Sequence, residues 1–244
     1  MDKSLNVKKI EAESWRGPLN HDNPLSHLQY ATKWDNYLLN HSSALKNIKG
    51  LKIINVGGGY GKEAEFFIEN WASLVAIVDI AKEQLISAKL RITQHNLKNI
   101  ELFCNDAENL CFKNNTFDMG IFFMALHHFP DHEKAINQIF RVSKTVFFID
   151  IMNCDLTKLL NRIGLFKEEW CGIEPNRIEI NNIRSIFKKE NKTMTIKYFF
   201  CPPYYGGNVI ISQMLFNISL FFCKYFLKNE KIGCIFGNIA IIEG

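Results

Sequence analysis

The sequence contains seven cysteines but no C-x-x-C pair, and its first residues lack the apolar segment of a signal peptide. An odd number of cysteines without that pairing argues against a disulfide framework and against a zinc knuckle, and it fits reduced thiols. A chain without a signal segment is expected to stay inside the cell. These absences predict a cytoplasmic protein with no metal site.

Charge of one sign is not concentrated anywhere in the chain. The formal net charge of +4 is spread over 244 residues. The pair Lys188-Lys189 is too short a run for a nucleic-acid-binding surface. We therefore expect no nucleic-acid partner. An apolar content of 47% with 22% charged residues is that of an ordinary globular protein with a substantial core.

The longest apolar segment, residues 209–227, is interrupted by polar side chains. Gln213, Asn217, Lys224 and then Lys228 form a narrow polar stripe along one face of a helix. A membrane-spanning helix needs about 20 consecutive, mostly apolar residues. The pattern therefore favours a packed helix over membrane contact.

An apolar run at residues 51–56 leads directly into a glycine-rich turn, Gly57-Gly58-Gly59-Tyr60-Gly61. Such a turn lets a ligand approach the backbone, and the helix that follows offers free N–H groups. The dinucleotide pattern G-x-G-x-x-G would need a glycine where Lys62 stands. A phosphate-binding P-loop would need glycine at Val56 and a hydroxyl at Glu63. The remaining pattern, G-x-G-x-G, suits a small zwitterion.

Strands and helices alternate after this turn, which predicts an α/β fold with a parallel sheet. We predict strands at residues 51–56, 74–79, 100–104, 117–124, 146–150, 193–200 and 235–242. We predict helices at residues 62–71, 82–95, 131–143, 182–189 and 209–227. Residues 1–50 are expected to form a helical cap, because aromatic residues recur there at helical spacing.

Two carboxylates follow predicted strands. Asp79 lies 18 residues after Gly61, where a carboxylate can accept both hydroxyls of a ribose. A solvated or helix-capping aspartate is the alternative. Asp106-Ala107 follows the third strand, where a carboxylate could accept an adenine amino proton, and the alternative there is a helix N-cap.

Taken in order, these motifs resemble the class I S-adenosylmethionine-dependent methyltransferases, particularly the ubiquinone/menaquinone C-methyltransferase-like branch. The resemblance covers about residues 51–150 well and the remainder loosely. It implies a Rossmann-like, seven-stranded, mostly parallel sheet with helices on both faces and a helical cap. It also implies S-adenosylmethionine as cofactor. The implied cofactor-binding residues are Asn55, Gly57, Gly58, Gly59, Tyr60, Gly61, Asp79, Ile80, Asp106, Ala107, Phe123 and Met124.

The sequence departs from the family pattern at Asn55, where an acidic residue is usual. One favourable charge toward the ligand's amino group is therefore missing. A second departure is the absence of Pro-Gly-Gly after Lys144, which predicts a tighter turn into the fifth strand.

His127 and His128 follow the fourth predicted strand, where a histidine could deprotonate an acceptor hydroxyl. Shaping the loop or the substrate pocket is the stronger alternative, and no third ligand is spaced for a metal. Trp34, Tyr204 and Tyr205 are candidate substrate contacts.

The predicted reaction is methyl transfer to an O, N or C nucleophile of a small, apolar molecule, the apolar character being inferred from the cap. Residues 51–244 would form the methyltransferase domain, with the cofactor core at 51–150 and the substrate side at 151–244. One alternative is a non-catalytic cofactor-binding protein with the same fold. A nicotinamide-dependent reductase is a second, less favoured alternative. The oligomeric state stays open.

Overall fold

The apolar segments of the sequence form a seven-stranded sheet in the computed structural model, which describes residues 8–9, 35–162, 178–200, 209–225, 229–237 and 239–244. The strands are β1 (Lys52–Val56), β2 (Leu74–Asp79), β3 (Ile100–Cys104), β4 (Phe117–Phe123), β5 (Ser143–Ile151), β6 (Thr195–Phe199) and β7 (Ile239–Glu243). Their order across the sheet is β3-β2-β1-β4-β5-β7-β6. The strands from β3 to β5 run parallel to one another, whereas β7 is antiparallel to both β5 and β6. The predicted fold class is confirmed.

Helices connect the strands. They are α1 (Lys62–Glu69), α2 (Lys82–Gln94), α3 (His132–Val142), α4 (Asp155–Arg162), α5 (Ile180–Lys189), α6 (Val209–Tyr225) and α7 (Glu230–Phe236). Residues 35–41 are also helical, and short 3-10 helices occur at Ala44–Asn47 and Leu126–His128. No helix of the described residues combines the length and the apolar character needed to cross a bilayer.

The central strands are apolar on both faces because helices cover both sides of the sheet. In β2, four consecutive residues from Val75 to Val78 are fully buried, and in β4 Ile121 and Phe122 are fully buried. Strands of a parallel sheet covered on both faces show such continuous apolar runs. The same core includes Leu38 from the helical residues 35–41, so this segment packs onto the sheet.

The last predicted strand, residues 235–242, is wrong at its start. Residues 235 and 236 end α7, and β7 begins only at Ile239. The side chain of Asn229 caps α7 by accepting a hydrogen bond from the backbone N–H of Lys231 at 3.0 Å. Gly237 follows the last helical residue. The β-branched residues that suggested a strand are therefore divided between a capped helix and the strand after it.

The stretch after β5 also contains more helix than expected. Asp155–Arg162 forms α4, where neither a strand nor a helix was predicted, and α5 begins at Ile180 rather than residue 182. The other predicted strands and helices agree with the structure to within three residues at each end.

Candidate functional site

A cavity of about 360 Å³ lies at the carboxyl edge of the sheet, beyond the ends of β1, β2 and β4. The strand order reverses between β1 and β4, and ligands of open α/β sheets bind at such a switch point. A volume of this size is within the usual range for small-molecule sites. The cavity is lined by Lys8, Asp35, Val56, Gly57, Gly58, Gly59, Tyr60, Lys62, Glu63, Val78, Asp79, Ile80, Gln84, Asn105, Asp106, Ala107, Glu108, Phe123, Met124, Ala125, His128, Phe129 and Pro130.

The glycine turn forms the floor of this cavity. Gly57 has φ of 71°, and its N–H donates to the carbonyl of Val78 at 2.8 Å, which ties the turn to β2. A Cβ on Gly57 would lie 2.5 Å from the Cβ of Ala125, in the loop after β4. Since real Cβ atoms do not approach so closely, only glycine permits this contact between turn and loop.

Asp79, at the end of β2, is held beside the turn by backbone donors. Its Oδ2 accepts from the N–H of Gly59 at 2.9 Å, and its Oδ1 accepts from the N–H of Ala81 at 2.8 Å. Burial raises the pKa of Asp79, although these N–H donors and nearby His128 act in the opposite direction. Each carboxylate oxygen has two lone pairs, so both oxygens can still accept from a ligand in the cavity.

The second carboxylate, Asp106, contacts a residue that the sequence gave no reason to select. Lys8 donates to Asp106 Oδ2 at 2.8 Å and to Glu108 Oε2 at 2.5 Å. Burial alone would lower the pKa of Lys8, but the bonds to these two carboxylates raise it overall. The pairing joins residues about 100 positions apart in the chain, and no local motif signals it.

The end of the cavity nearest α1 carries further charged groups. Lys62 and Asp35 form an ion pair, and Glu63 in the first turn of α1 lies beside them. Burial raises the pKa of Glu63 to about 7 and that of Tyr60 to about 12. Burial also raises the pKa of Asp35, against the effect of Lys62.

The structure brings most of the predicted site residues to this one cavity. Its lining includes Gly57, Gly58, Gly59, Tyr60, Asp79, Ile80, Asp106, Ala107, Phe123, Met124 and His128. Asn55, Gly61 and His127 are not among the lining residues. Trp34, Tyr204 and Tyr205 lie outside the described residues.

Asn55 and Gly61 lie behind the turn. Asn55 is fully buried, and a Cβ on Gly58 would lie 2.9 Å from its Nδ2. Neither polar atom of the Asn55 amide has a hydrogen-bond partner among the described residues. Gly61 is the N-cap of α1. Asn55 and Gly61 can support the turn, but neither residue lines the cavity.

The two adjacent histidines differ in their surroundings. His127 is buried, and its Nδ1 lies 2.5 Å from Oδ1 of the fully buried Asp150. Oδ2 of Asp150 accepts from the N–H groups of Ala125 and Leu126 at 3.2 and 2.7 Å. His128 lines the cavity, and its ring centroid lies 4.0 Å from that of His127. Asp150 therefore fixes the loop that presents His128.

Sequence reasoning did not select Asp150, although a signal existed. Asp150 ends a run of four buried apolar residues, Val146 to Ile149, and a carboxylate in such a run needs partners. No group of three metal-ligating side chains was found among the described residues.

Comparison with known proteins agrees with this geometry. Residues 53–145 match the family profile of the methyltransferase domain. A 96-residue segment is 29% identical to rice (Oryza sativa subsp. japonica) 2-methyl-6-phytyl-1,4-hydroquinone methyltransferase 1, chloroplastic. That match covers 39% of this chain and 28% of the relative, so the chain spans less than a third of the relative's length.

Solved structures share the fold across most of the chain. YcgJ from Bacillus subtilis superposes with a TM-score of 0.65 at 16% identity and covers 86% of this chain and 97% of its own. Magnesium protoporphyrin IX methyltransferase from Synechocystis, solved with bound S-adenosylhomocysteine, superposes with a TM-score of 0.59 at 19% identity. The match covers 84% of this chain and 96% of that chain. The sheet order and helix placement described above are thus those of the class I methyltransferase fold.

Proposed function

We propose, on the premise that residues 53–145 form a class I methyltransferase domain, that the protein transfers a methyl group from S-adenosylmethionine to a small, apolar acceptor. The observation that carries the proposal is the convergence of the glycine turn and Asp79 on one cavity. The acceptor nucleophile is an oxygen, nitrogen or carbon atom.

The cavity residues fit the proposed cofactor. The turn exposes its backbone where Gly59 lies, since a Cβ there would meet only Gln84 Oε1, at 3.8 Å. Asp79 supplies a fixed acceptor for hydroxyl groups, and Asp106, just after the neighbouring strand β3, supplies an acceptor for an adenine amino proton. When bound, the cofactor would supply an activated methyl group. The protein's own contribution is to hold both reactants in alignment, which can lower a barrier by roughly 7–11 kcal/mol at best.

The part of the cavity beyond β4 supports an apolar acceptor. Phe123, Met124 and Phe129 line it and are at least partly buried. His128 is the polar side chain presented beside them, so we propose it as the group that receives a proton from an acceptor hydroxyl. His127 would instead position the loop through Asp150. The aromatic hydroquinone in the rice relative's name makes hydroquinones the first acceptors to test.

Turnover is the direct test of this function. Purified protein is incubated with S-adenosylmethionine and a panel of hydroquinones, phenols and amines, and S-adenosylhomocysteine is measured with time. We expect product with at least one apolar acceptor. Cofactor binding without turnover across the panel would favour the non-catalytic alternative, in which the same cavity serves a sensor or a scaffold. Binding of NADH in place of the adenosyl cofactor would instead favour a nicotinamide-dependent reductase.

Asp79→Asn is expected to weaken binding of S-adenosylhomocysteine by roughly tenfold to a hundredfold, since hydrogen bonds to charged groups contribute about 1.5–3 kcal/mol. Calorimetric titration measures the change. Glu101→Gln is the control, because Glu101 is exposed on β3 and does not line the cavity. Equal affinities for wild type and Asp79→Asn would contradict the role of Asp79.

The wider organisation belongs to the same proposal. We propose a cap at residues 1–50 and a methyltransferase domain at 51–244, with acceptor contacts at Trp34, Tyr204 and Tyr205. A cytoplasmic location is supported by the odd number of cysteines and the lack of a C-x-x-C pair, which fit reduced thiols. The partner is a small acceptor rather than nucleic acid.

A further inference from the structure

A carboxylate without an ionic partner lines the α1 end of the cavity. Glu63 lies in the first turn of α1, is half-buried, and lines the cavity. It forms no salt bridge within the described part of the chain, unlike Glu65 two residues later, which pairs with Arg91 and His95. An ionised carboxylate in such surroundings lacks compensation until a cation arrives.

Asn55 cannot supply a charge to the same end of the cavity. Its amide is uncharged, fully buried beneath Gly58, and absent from the cavity lining. A zwitterionic ligand lying over the glycine turn therefore finds no anion at that position. The next carboxylate along the chain that lines the cavity is Glu63.

The other charged groups near Glu63 are already engaged. Asp35, from the helical residues 35–41, is paired with Lys62. Arg91 of α2 is paired with Glu65, and its guanidinium carbon lies 5.9 Å from the centroid of the Tyr60 ring. Lys62 and Arg91 favour the ionised form of Glu63, whereas burial and Asp35 oppose it. Among the residues that the structure describes, Glu63 is thus the carboxylate at this end that remains available to a ligand.

Building on the proposed function, we propose that Glu63 binds the ammonium group at the amino-acid end of the methyl donor, a role that Asn55 leaves vacant. Glu63 would then determine whether the protein distinguishes ligands with an amino-acid end from ligands with adenosine alone. Asp79 would act on the adenosine part that both kinds of ligand share.

Two ligands separate these contributions. S-adenosylhomocysteine has the amino-acid end, whereas 5′-methylthioadenosine shares the thioether and the adenosine but lacks it. We expect Glu63→Gln to weaken S-adenosylhomocysteine binding roughly tenfold to a hundredfold, as for loss of a charged hydrogen bond. The affinity for 5′-methylthioadenosine should change less than about twofold. This retained binding also shows that the site of the variant is folded. Asp79→Asn should weaken both ligands alike.

Glu65→Gln is the matched control on the same helix, and it should leave both affinities unchanged. If Glu63→Gln weakens both ligands equally, or neither, the role of Glu63 is overturned. A selective loss of S-adenosylhomocysteine binding in Asp35→Asn but not in Glu63→Gln would assign the ammonium to Asp35 instead. Failure of the wild type to bind either ligand would overturn the proposed function itself.

Proton release provides an independent readout. Burial raises the pKa of Glu63 to about 7, so near pH 6.5 the empty site holds a proton that an arriving ammonium group would displace. We expect wild type to release protons on binding S-adenosylhomocysteine, measured by calorimetry in buffers of different ionisation enthalpy. Glu63→Gln should abolish this release, and 5′-methylthioadenosine should cause none. Release that persists in Glu63→Gln would contradict the proposal.

Discussion

Asp150→Ala is expected to lower the free energy of unfolding by about 3–5 kcal/mol, because it removes the acceptor of several buried hydrogen bonds at once. Asp150 is fully buried in β5. It accepts hydrogen bonds from His127 and from the N–H groups of Ala125, Leu126 and Ile151. Alanine would leave these groups without an acceptor in a place that water does not reach, and unmet buried donors cost about 1–3 kcal/mol each.

Urea unfolding of wild type and variant measures this loss. Asp118→Ala is the control, because Asp118 accepts from the backbone of Lys52 and from the side chain of Lys144 at the protein surface. Exposed pairs contribute about 0–1 kcal/mol, so the control should unfold close to wild type. Similar losses in both variants would show that Asp150 does not organise the loop that carries His127 and His128.

The part of the fold that the sequence predicted well is the part with regular periodicity. β2 and β3 have the predicted bounds because apolar residues predominate in each run, while polar Asp79 ends β2 and polar Asn105 follows β3. The glycine turn and Asp79 were predictable for a related reason, since a turn and the strand end beside it are local features. Local patterns thus identified one end of the cavity.

The residues that sequence reasoning missed depend on contacts between distant segments. Lys8 reaches Asp106 from 98 positions away, and Asp150 reaches His127 from 23 positions away. Neither pairing has a periodic or spacing signature. The same limit applies to α7, where an N-cap at Asn229 decided the structure of residues whose composition suits a strand.

The two histidines show how burial alters a prediction made from position alone. Both follow β4, and both were therefore candidates for the same proton-transfer role. The 3-10 helix Leu126–His128 turns His127 toward Asp150 and leaves His128 at the cavity. The proposed base is therefore His128, while His127 contributes to the stability of the loop.

Gly57→Ala is expected to lower the free energy of unfolding by about 2–5 kcal/mol and to weaken binding of S-adenosylhomocysteine. Two costs combine in this variant. The positive φ of 71° disfavours any residue with a Cβ, at roughly 1–2 kcal/mol. In addition, the new Cβ would lie 2.5 Å from the Cβ of Ala125, and such overpacking costs about 1–3 kcal/mol.

Gly59→Ala separates the two costs, because Gly59 also has a positive φ, 48°, but its Cβ would meet only Gln84 Oε1 at 3.8 Å. This variant should lose only the conformational part of the free energy of unfolding, roughly 1–2 kcal/mol. It should therefore unfold at a higher urea concentration than Gly57→Ala. The difference between the two variants then measures the contact of the turn with the loop after β4. That loop also presents His128 to the cavity. Equal losses in the two variants would mean that the turn and the loop are not coupled. The proposed alignment of cofactor and base would then lose its structural support.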